Sequence, residues 1–241
     1  MFRAKSDAQR HVVLSVAGRE IPVAVRRYAH ARGYRLRYDS VKGVALLSIP
    51  ARGGIAPALD WARTQSDWLA RQFAVTHEQV VVRPGVVIPV EGEDRTVIWS
   101  PSRRRTPELD GATLWVGGPQ EPSTGPRVMR WLRGRALETL QRETKELAAG
   151  AQLDVLSIGI GDPRSRWGSC SSSGAIRYSW RLILAPPWVR RATVTHELAH
   201  LVHMDHSPAF HAAHARLLGE DPRPARDWLR THGRGLHRFT V

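Results

Sequence analysis

The segment that constrains this chain most is His196-Glu197-Leu198-Ala199-His200, which has the pattern H-E-x-x-H. It lies in a predicted helix that opens at Pro186-Pro187 and runs to about His203. Residues four apart share one helix face, so both imidazoles can reach one metal ion at roughly 2.0 to 2.1 Å. Glu197 points about 100° around the helix from His196, which suits a general base better than a ligand. The pattern therefore predicts a metal site with His196 and His200 as ligands and Glu197 as catalytic base.

A catalytic zinc site generally has three protein ligands and an open fourth position, so a third ligand is needed. His206 is the best candidate because it follows His200 by six residues, the spacing of the long metzincin motif H-E-x-x-H-x-x-G-x-x-H. His203 stands where that motif has glycine, and it lies about 10 Å along the axis from His196, too far to share an ion. We expect the chain to turn at Met204-Asp205 instead, and we expect one Zn²⁺ per chain. Two later histidines are weaker candidates for the third ligand, His211 and His214.

The chain is strongly basic, with 36 Lys and Arg against 22 Asp and Glu and a net charge of +14. Such a charge is typical of proteins that bind a polyanion, and Arg103-Arg104-Arg105 lies in a Pro-flanked, exposed connection where phosphate contacts are easy. However, only three of the basic residues are lysine, and an excess of arginine also follows from genome composition. The charge therefore predicts no more than weak nucleic-acid binding without base-sequence preference.

The rival interpretation of the histidines is a DNA- or RNA-binding module in which the zinc ion is structural. A third interpretation combines the two, as a peptidase that charge recruits to proteins bound to DNA. Glu197 separates these classes, since a structural site has no need of a carboxylate between its histidines, and a closed site more often uses cysteine. We therefore favour a metal-dependent peptidase that acts on a protein or peptide.

Cys170 is the single cysteine, so the chain cannot form an internal disulfide, and unpaired thiols are typical of reducing compartments. The first twenty residues are interspersed with charge, and the most apolar later stretch, 80–90, is interrupted by arginine and proline. Neither a signal peptide nor a membrane span fits these segments. We expect a cytoplasmic protein that does not bind membranes.

The N-terminal region, residues 1–118, is predicted to be β-rich with one amphipathic helix over 61–73. Short β-branched or apolar runs, the first over His11–Val16, alternate there with turn signals such as Glu91-Gly92 and Asp110-Gly111. The breakers that follow, at 117–125, predict a boundary or linker.

The second region, residues 126–241, is predicted to hold a helix ending at Gly150, a small antiparallel sheet, the H-E-x-x-H helix and C-terminal helices. The strands of that sheet are predicted at 155–160, 164–169 and 175–184. We expect the last of them to form the edge of the cleft, where an extended substrate can add by main-chain hydrogen bonds. The whole chain is predicted to be α+β.

Several segments of this second region match one known pattern. They are Arg166-Trp167-Gly168-Ser169-Cys170, Arg181-Leu182-Ile183-Leu184-Ala185-Pro186, the H-E-x-x-H segment and His206-Ser207-Pro208-Ala209-Phe210. Together they resemble the YgjP-like metallopeptidase family. The resemblance implies a zincin-like catalytic domain and a zinc-dependent peptidase related to the SprT and WLM groups, some of which act on proteins bound to DNA.

Carried over to this sequence, the resemblance implies His196, His200 and His206 as zinc ligands and Glu197 as the base, in agreement with the spacing. The sequence departs from the family at two positions, where Ser179 replaces the usual Asn and His211 a frequent Trp. Three further residues are candidates for the substrate cleft or for stabilising the transition state: Arg166, Arg177 and Tyr178. Cys170 is interpreted as a small buried residue beside the site, because a fourth ligand would close the position that catalysis needs.

Overall fold

A computed structural model describes residues 12–39, 42–74 and 78–241. The chain divides into two compact units, Met1–His77 and Glu78–Val241. The predicted α+β class is confirmed, with a β-rich first part followed by the helices of the second unit. The predicted catalytic region, 126–241, lies within the second unit, which also contains a sheet before it, and its own extent stays a prediction. His11, at the start of a predicted strand, lies outside the described residues.

The first unit contains a four-stranded mixed sheet. Its strands are β1 (Val12–Val16), β2 (Arg19–Tyr28), β3 (Arg35–Asp39) and β4 (Val44–Pro50), in the order β1-β2-β4-β3. β2 and β4 are parallel and the outer pairs are antiparallel. Successive side chains of β4 point to opposite faces of the sheet, and one face packs on the core, which buries Ala45, Leu47 and Ile49.

Two helices follow this sheet where the sequence predicted one. They are α1 (Ile55–Thr64) and α2 (Ser66–Ala74), separated at Gln65. The backbone N–H of Gln65 bonds to Ala62 at 3.1 Å, a tight turn that ends α1 and interrupts the ladder of helical bonds. The apolar period continues across the break, which is why the sequence alone predicts a single helix, and Leu59, Ala62 and Leu69 all join the core of this unit.

The second unit begins with another four-stranded sheet. Its strands are β6 (Val87–Val90), β7 (Glu93–Ser100), β8 (Glu108–Asp110) and β9 (Thr113–Gly117), in the order β6-β7-β9-β8, after a short β5 (Val80–Val81). The predicted Glu91-Gly92 turn joins β6 to β7, and both residues have the positive φ of a two-residue hairpin. Gly92 also lies against Pro186, where a Cβ would come within 2.8 Å of the proline Cα.

The long helix α3 (Thr124–Gly150) buries the stripe that the sequence predicted, including Met129, Leu132, Ala136 and Leu140. A three-stranded sheet follows, with the order β10-β12-β11. The strands are β10 (Ser157–Gly161), β11 (Gly168–Cys170) and β12 (Ala175–Ser179). The remaining elements are α4 (Pro187–Ala199), α5 (Pro208–Leu218), α6 (Arg223–Leu236) and β13 (Phe239–Thr240), which pairs with β5.

This three-stranded sheet differs from the prediction in two respects. It is mixed, because β10 and β12 run parallel while β11 and β12 run antiparallel. The predicted strand over 175–184 ends at Ser179, whose hydroxyl accepts the N–H of Arg181 and starts a 3₁₀ turn over Trp180–Leu184. That turn is buried throughout, and a continuous apolar run does not reveal by its period whether it is strand or helix.

Candidate metal centre

α4 holds the H-E-x-x-H segment inside the core of the second unit. Val189, Val194 and Leu198 of this helix are fully buried. Arg190 donates to both carboxylate oxygens of Glu143 on α3, at 2.7 to 3.0 Å, and its side chain is only 4 % exposed. A bidentate pair of this kind sets the position of one helix on another, so the histidine-bearing face of α4 has a defined orientation.

The helix ends at Ala199, and the chain then turns back toward it. His200 is the C-terminal cap, and the backbone bends at Met204 and Asp205, where the sequence predicted a turn. Ser207 then caps α5, since its hydroxyl accepts the N–H of Phe210 at 3.3 Å, and Pro208 follows at the first helical position. This turn brings His206 beside the helix it left.

The imidazoles of His196, His200 and His206 form one cluster. One nitrogen from each ring lies within 4.8 Å of the others, and Nε2 of His196 is 3.3 Å from Nε2 of His206. Two nitrogens bound to one tetrahedral zinc ion at 2.0 to 2.1 Å would be about 3.3 Å apart. The spacing and the nitrogen donors therefore fit a single ion of this type.

The surroundings orient these rings and lower the pKa of two of them, His196 and His200. The carbonyl of His203 accepts the Nδ1–H of His200 at 3.1 Å, which leaves Nε2 of that ring free to bind a metal. Burial, reinforced by the neighbouring histidines, lowers the pKa of His196 to about 3. The fully buried ring of Phe210 lies 4.5 to 4.9 Å from all three imidazoles, so it forms an apolar support beneath them.

The other histidines do not join this cluster. His203 contributes only its backbone carbonyl, while the ring centre of His211 is 6.4 Å from that of His206. His214 is buried and donates from Nε2 to the carbonyl of Ala192 at 3.0 Å, with its ring against His196. Its place is that of a packed histidine beside the cluster.

Glu197 lies beside the cluster and is 4 % exposed. Burial raises the pKa of its carboxyl to about 7, although the positive charge of Arg166 acts in the opposite direction. The carboxylate lies directly on the backbone of Gly168, where a Cβ would come within 2.6 Å of Cδ of Glu197. Only glycine leaves room for this contact, which explains the glycine of the Arg166–Cys170 segment, a role that spacing and composition did not reveal.

Two of the three candidates for the substrate cleft lie apart from the cluster. Tyr178 is fully buried, and its hydroxyl is 3.0 Å from the hydroxyl of Thr144 on α3. The exposed Arg177 donates from Nε to the carbonyl of Ile160 on β10, across the sheet from β11. The positive charge of the exposed Arg166 acts on the carboxyl of Glu197, and the buried Tyr178, which pairs across the sheet with Gly168, is also within electrostatic reach of that carboxyl.

β11, and not the predicted β12, is the edge strand nearest the cluster. β12 is central in the sheet, whereas β11 has one neighbour. The backbones of Trp167 and Ser171 bond to β12, so the alternate residues Gly168 and Cys170 direct their backbone groups away from it. Cys170 is half-buried, and burial together with the charge of Glu197 raises the pKa of its thiol, which is unlike an activated nucleophile.

A cavity of about 790 Å³ opens next to the cluster, between α4, α5 and α6. His196 and Glu197 form part of its wall, as do Trp167 and Gly168 of the motif before β11. The remaining wall comes largely from α6, one of the predicted C-terminal helices. Its lining residues had no motif to mark them.

A helix with two imidazoles one turn apart and a carboxylate between them, beside a cavity, is the arrangement of the metallohydrolases. The family model that matches the chain is that of the YgjP-like metallopeptidase domain, over residues 32–232. Because the match covers most of the chain, the protein belongs to the YgjP-like metallopeptidase family, and the suspected resemblance is confirmed. Neither a curated protein nor a solved structure matches the chain significantly.

The family assignment makes the protein a peptidase with a protein or peptide substrate. Within the described part of the chain, none of the helices has the length and apolar character that crossing a membrane requires.

Proposed function

We propose that the protein is a zinc-dependent endo- or exopeptidase of the cytoplasm that uses His196, His200 and His206 as ligands and Glu197 as general base. The convergence of three imidazoles carries the proposal, because zinc prefers nitrogen donors in a tetrahedral set. When bound, zinc supplies Lewis acidity, which acidifies water and polarises the carbonyl of the scissile bond.

Glu197 moves the proton in this mechanism. Its carboxylate accepts a proton from the attacking water, and the carboxylic acid then donates it to the nitrogen of the departing amine. Burial raises the pKa of this carboxyl to about 7 in the metal-free protein, and burial therefore favours the proton-carrying form that the second step needs. The backbone of Gly168 fixes where the carboxylate lies, so the base does not need to find its position during turnover.

The outward backbone groups of β11 support a site for the main chain of the substrate. Gly168 and Cys170 can pair with an extended peptide by adding it as a further strand, which would place its backbone next to Glu197. Arg166 is exposed beside this strand and can contact the substrate or the charge that develops on its carbonyl.

The proposal is tested by mass-spectrometric profiling of a peptide library treated with the zinc-loaded protein. We expect new peptide termini with the wild type and none with Glu197→Gln, since the amide keeps the shape of the side chain but cannot accept a proton. Glu138→Gln, which changes an exposed carboxylate on α3, is the matched control and should cleave as the wild type does. Equal cleavage by Glu197→Gln and the wild type would contradict the mechanism.

A further inference from the structure

The cavity beside the metal cluster has a largely apolar interior. Ala192 on α4, Ala215 on α5 and Leu229 on α6 line it together with Trp167. Its volume of about 790 Å³ is in the range of cavities that hold a ligand, and it is far larger than a single side chain needs. Since the cavity opens directly beside Glu197, a peptide substrate bound at the reacting centre can place an apolar side chain in this cavity.

The charged residues of this cavity that lie on or just before α6 are mostly basic. Arg223, Arg226 and Arg230 line it, together with Asp221. Asp221 is already satisfied, because its two oxygens accept the backbone N–H of Arg223 at 2.9 Å and the Nε of Arg223 at 2.7 Å. Arg230 lies 3.3 Å from Asp227.

Arg226 therefore carries the surplus charge at this rim. Among the described carboxylates, none forms an ion pair with its guanidinium, although its charge acts on the already paired Asp221, and the side chain is exposed. An exposed guanidinium with free donors is suited to a carboxylate, which it can bind by two parallel hydrogen bonds. The cavity thus combines an apolar interior with an unpaired cation at its mouth.

We propose that this cavity selects peptides that present a bulky apolar side chain next to a carboxylate, with the side chain in the cavity and the carboxylate on Arg226. The inference rests on the proposed peptidase function and names its substrate class. A carboxylate in this position has two sources, the side chain of Asp or Glu and the free C-terminus of a polypeptide. Both offer the same chemistry to a guanidinium, so the experiment must separate them.

The test measures binding of fluorescein-labelled peptides by fluorescence anisotropy, with the full-length, zinc-loaded Glu197→Gln variant so that no peptide is consumed. Three peptides are identical except for a central Leu-Glu, Leu-Gln or Leu-Lys pair. Two more end in Leu, one with a free carboxylate and one as the amide. We expect the Leu-Glu peptide to bind about threefold to fivefold more tightly than the Leu-Gln peptide, and the Leu-Lys peptide to bind most weakly.

Variants in the same background assign this preference to the cavity. Arg226→Gln should abolish it and Arg226→Glu should reverse it, whereas Arg234→Gln, an exposed arginine on α6 outside the cavity, should leave it intact. A matched Ala-Glu peptide tests the apolar interior, because Ala215→Phe narrows the cavity and should remove the preference for Leu-Glu over Ala-Glu. If the free-acid peptide is preferred over its amide more strongly than Leu-Glu is preferred over Leu-Gln, the C-terminus is the source of the carboxylate. If the second preference is the stronger one, the source is the acidic side chain.

Equal affinity for the Leu-Glu and Leu-Lys peptides, together with equal affinity for the free-acid and amide peptides, would overturn the inference, and equal absence of binding would do the same. So would a preference that survives Arg226→Glu. Failure of the peptidase proposal would look different, because the wild type would then cleave none of the peptides while the preference still followed Arg226.

Discussion

Replacing Glu197 with Gln should stabilise the metal-free protein at neutral and alkaline pH, although it removes the proposed catalytic base. The carboxyl is buried, and burial raises its pKa from 4.5 in a solvated chain to about 7 in the folded protein. The folded state therefore holds the proton more tightly than the unfolded state, and its stability falls as pH rises through this interval. The amide has the same shape and never has to be buried with a charge.

The magnitude follows from the same values. Each pKa unit corresponds to about 1.4 kcal/mol, so the rise from 4.5 to about 7 represents about 3 kcal/mol. Below pH 4.5 both side chains are neutral, and the two proteins should differ little. The advantage of Glu197→Gln should grow between pH 4.5 and 7 and stay constant above it.

The assay is urea unfolding of chelator-treated protein, followed by tryptophan fluorescence at several pH values. Effects of the histidines cancel in the comparison because both proteins contain them. Glu138→Gln, on the exposed face of α3, is the control and should change the free energy of unfolding by less than about 0.5 kcal/mol at every pH. A difference between Glu197→Gln and the wild type that does not change between pH 4.5 and 8 would refute the reasoning.

Three further predictions concern the support of the site and the charge of the chain. Gly168→Ala should fold and bind zinc but lose peptide hydrolysis by about 10²-fold, because the new methyl group displaces the Glu197 carboxylate. The control is Gly159→Ala, in open space on β10, which should remain active. An active Gly168→Ala enzyme would contradict this account of the contact. Arg190→Met leaves the largely buried carboxylate of Glu143 unpaired and should lower the free energy of unfolding by about 3 kcal/mol. The control Arg142→Met, at an exposed ion pair, should lower it by less than about 0.5 kcal/mol. Equal urea midpoints for the two variants would contradict this prediction. Fluorescence anisotropy with a DNA duplex should show a dissociation constant above about 1 µM at physiological salt, and the affinity should fall steeply as the salt concentration rises. Binding should be lost when residues 103–105 are replaced with Ser. Sub-micromolar, salt-insensitive binding would refute this prediction.

Much of the fold could be predicted because local signals agree with the tertiary structure. The apolar stripe of α3 and the Glu91-Gly92 hairpin are examples, since each depends on a period or a turn that neighbouring residues define. The break at Gln65 and the 3₁₀ turn over Trp180–Leu184 could not be predicted, because backbone hydrogen bonds and not apolar period decide them. The strand order that makes β11 an edge strand depends on contacts between segments distant in sequence, so local signals do not reveal it either.

At the candidate site, sequence spacing was informative where residues lie within one helix or one turn. His196 and Glu197 lie in α4 and His200 caps its C-terminus, and the turn at Met204-Asp205 accounts for His206. Contacts between distant segments left no such signal. Gly168 meets the Glu197 carboxylate across the fold, Tyr178 is fully buried, and the arginines of α6 enter the cavity from the end of the chain.

The central claim is tested most directly by titrating chelator-stripped protein with zinc while hydrolysis of one identified peptide and bound zinc are measured on the same samples. For the wild type, we expect hydrolysis to rise in proportion to bound zinc and to level off at one equivalent per chain. Glu197→Gln should bind the same one equivalent and stay inactive by a factor of about 10² or more. Hydrolysis by the stripped wild type, or full activity of zinc-loaded Glu197→Gln, would contradict the account.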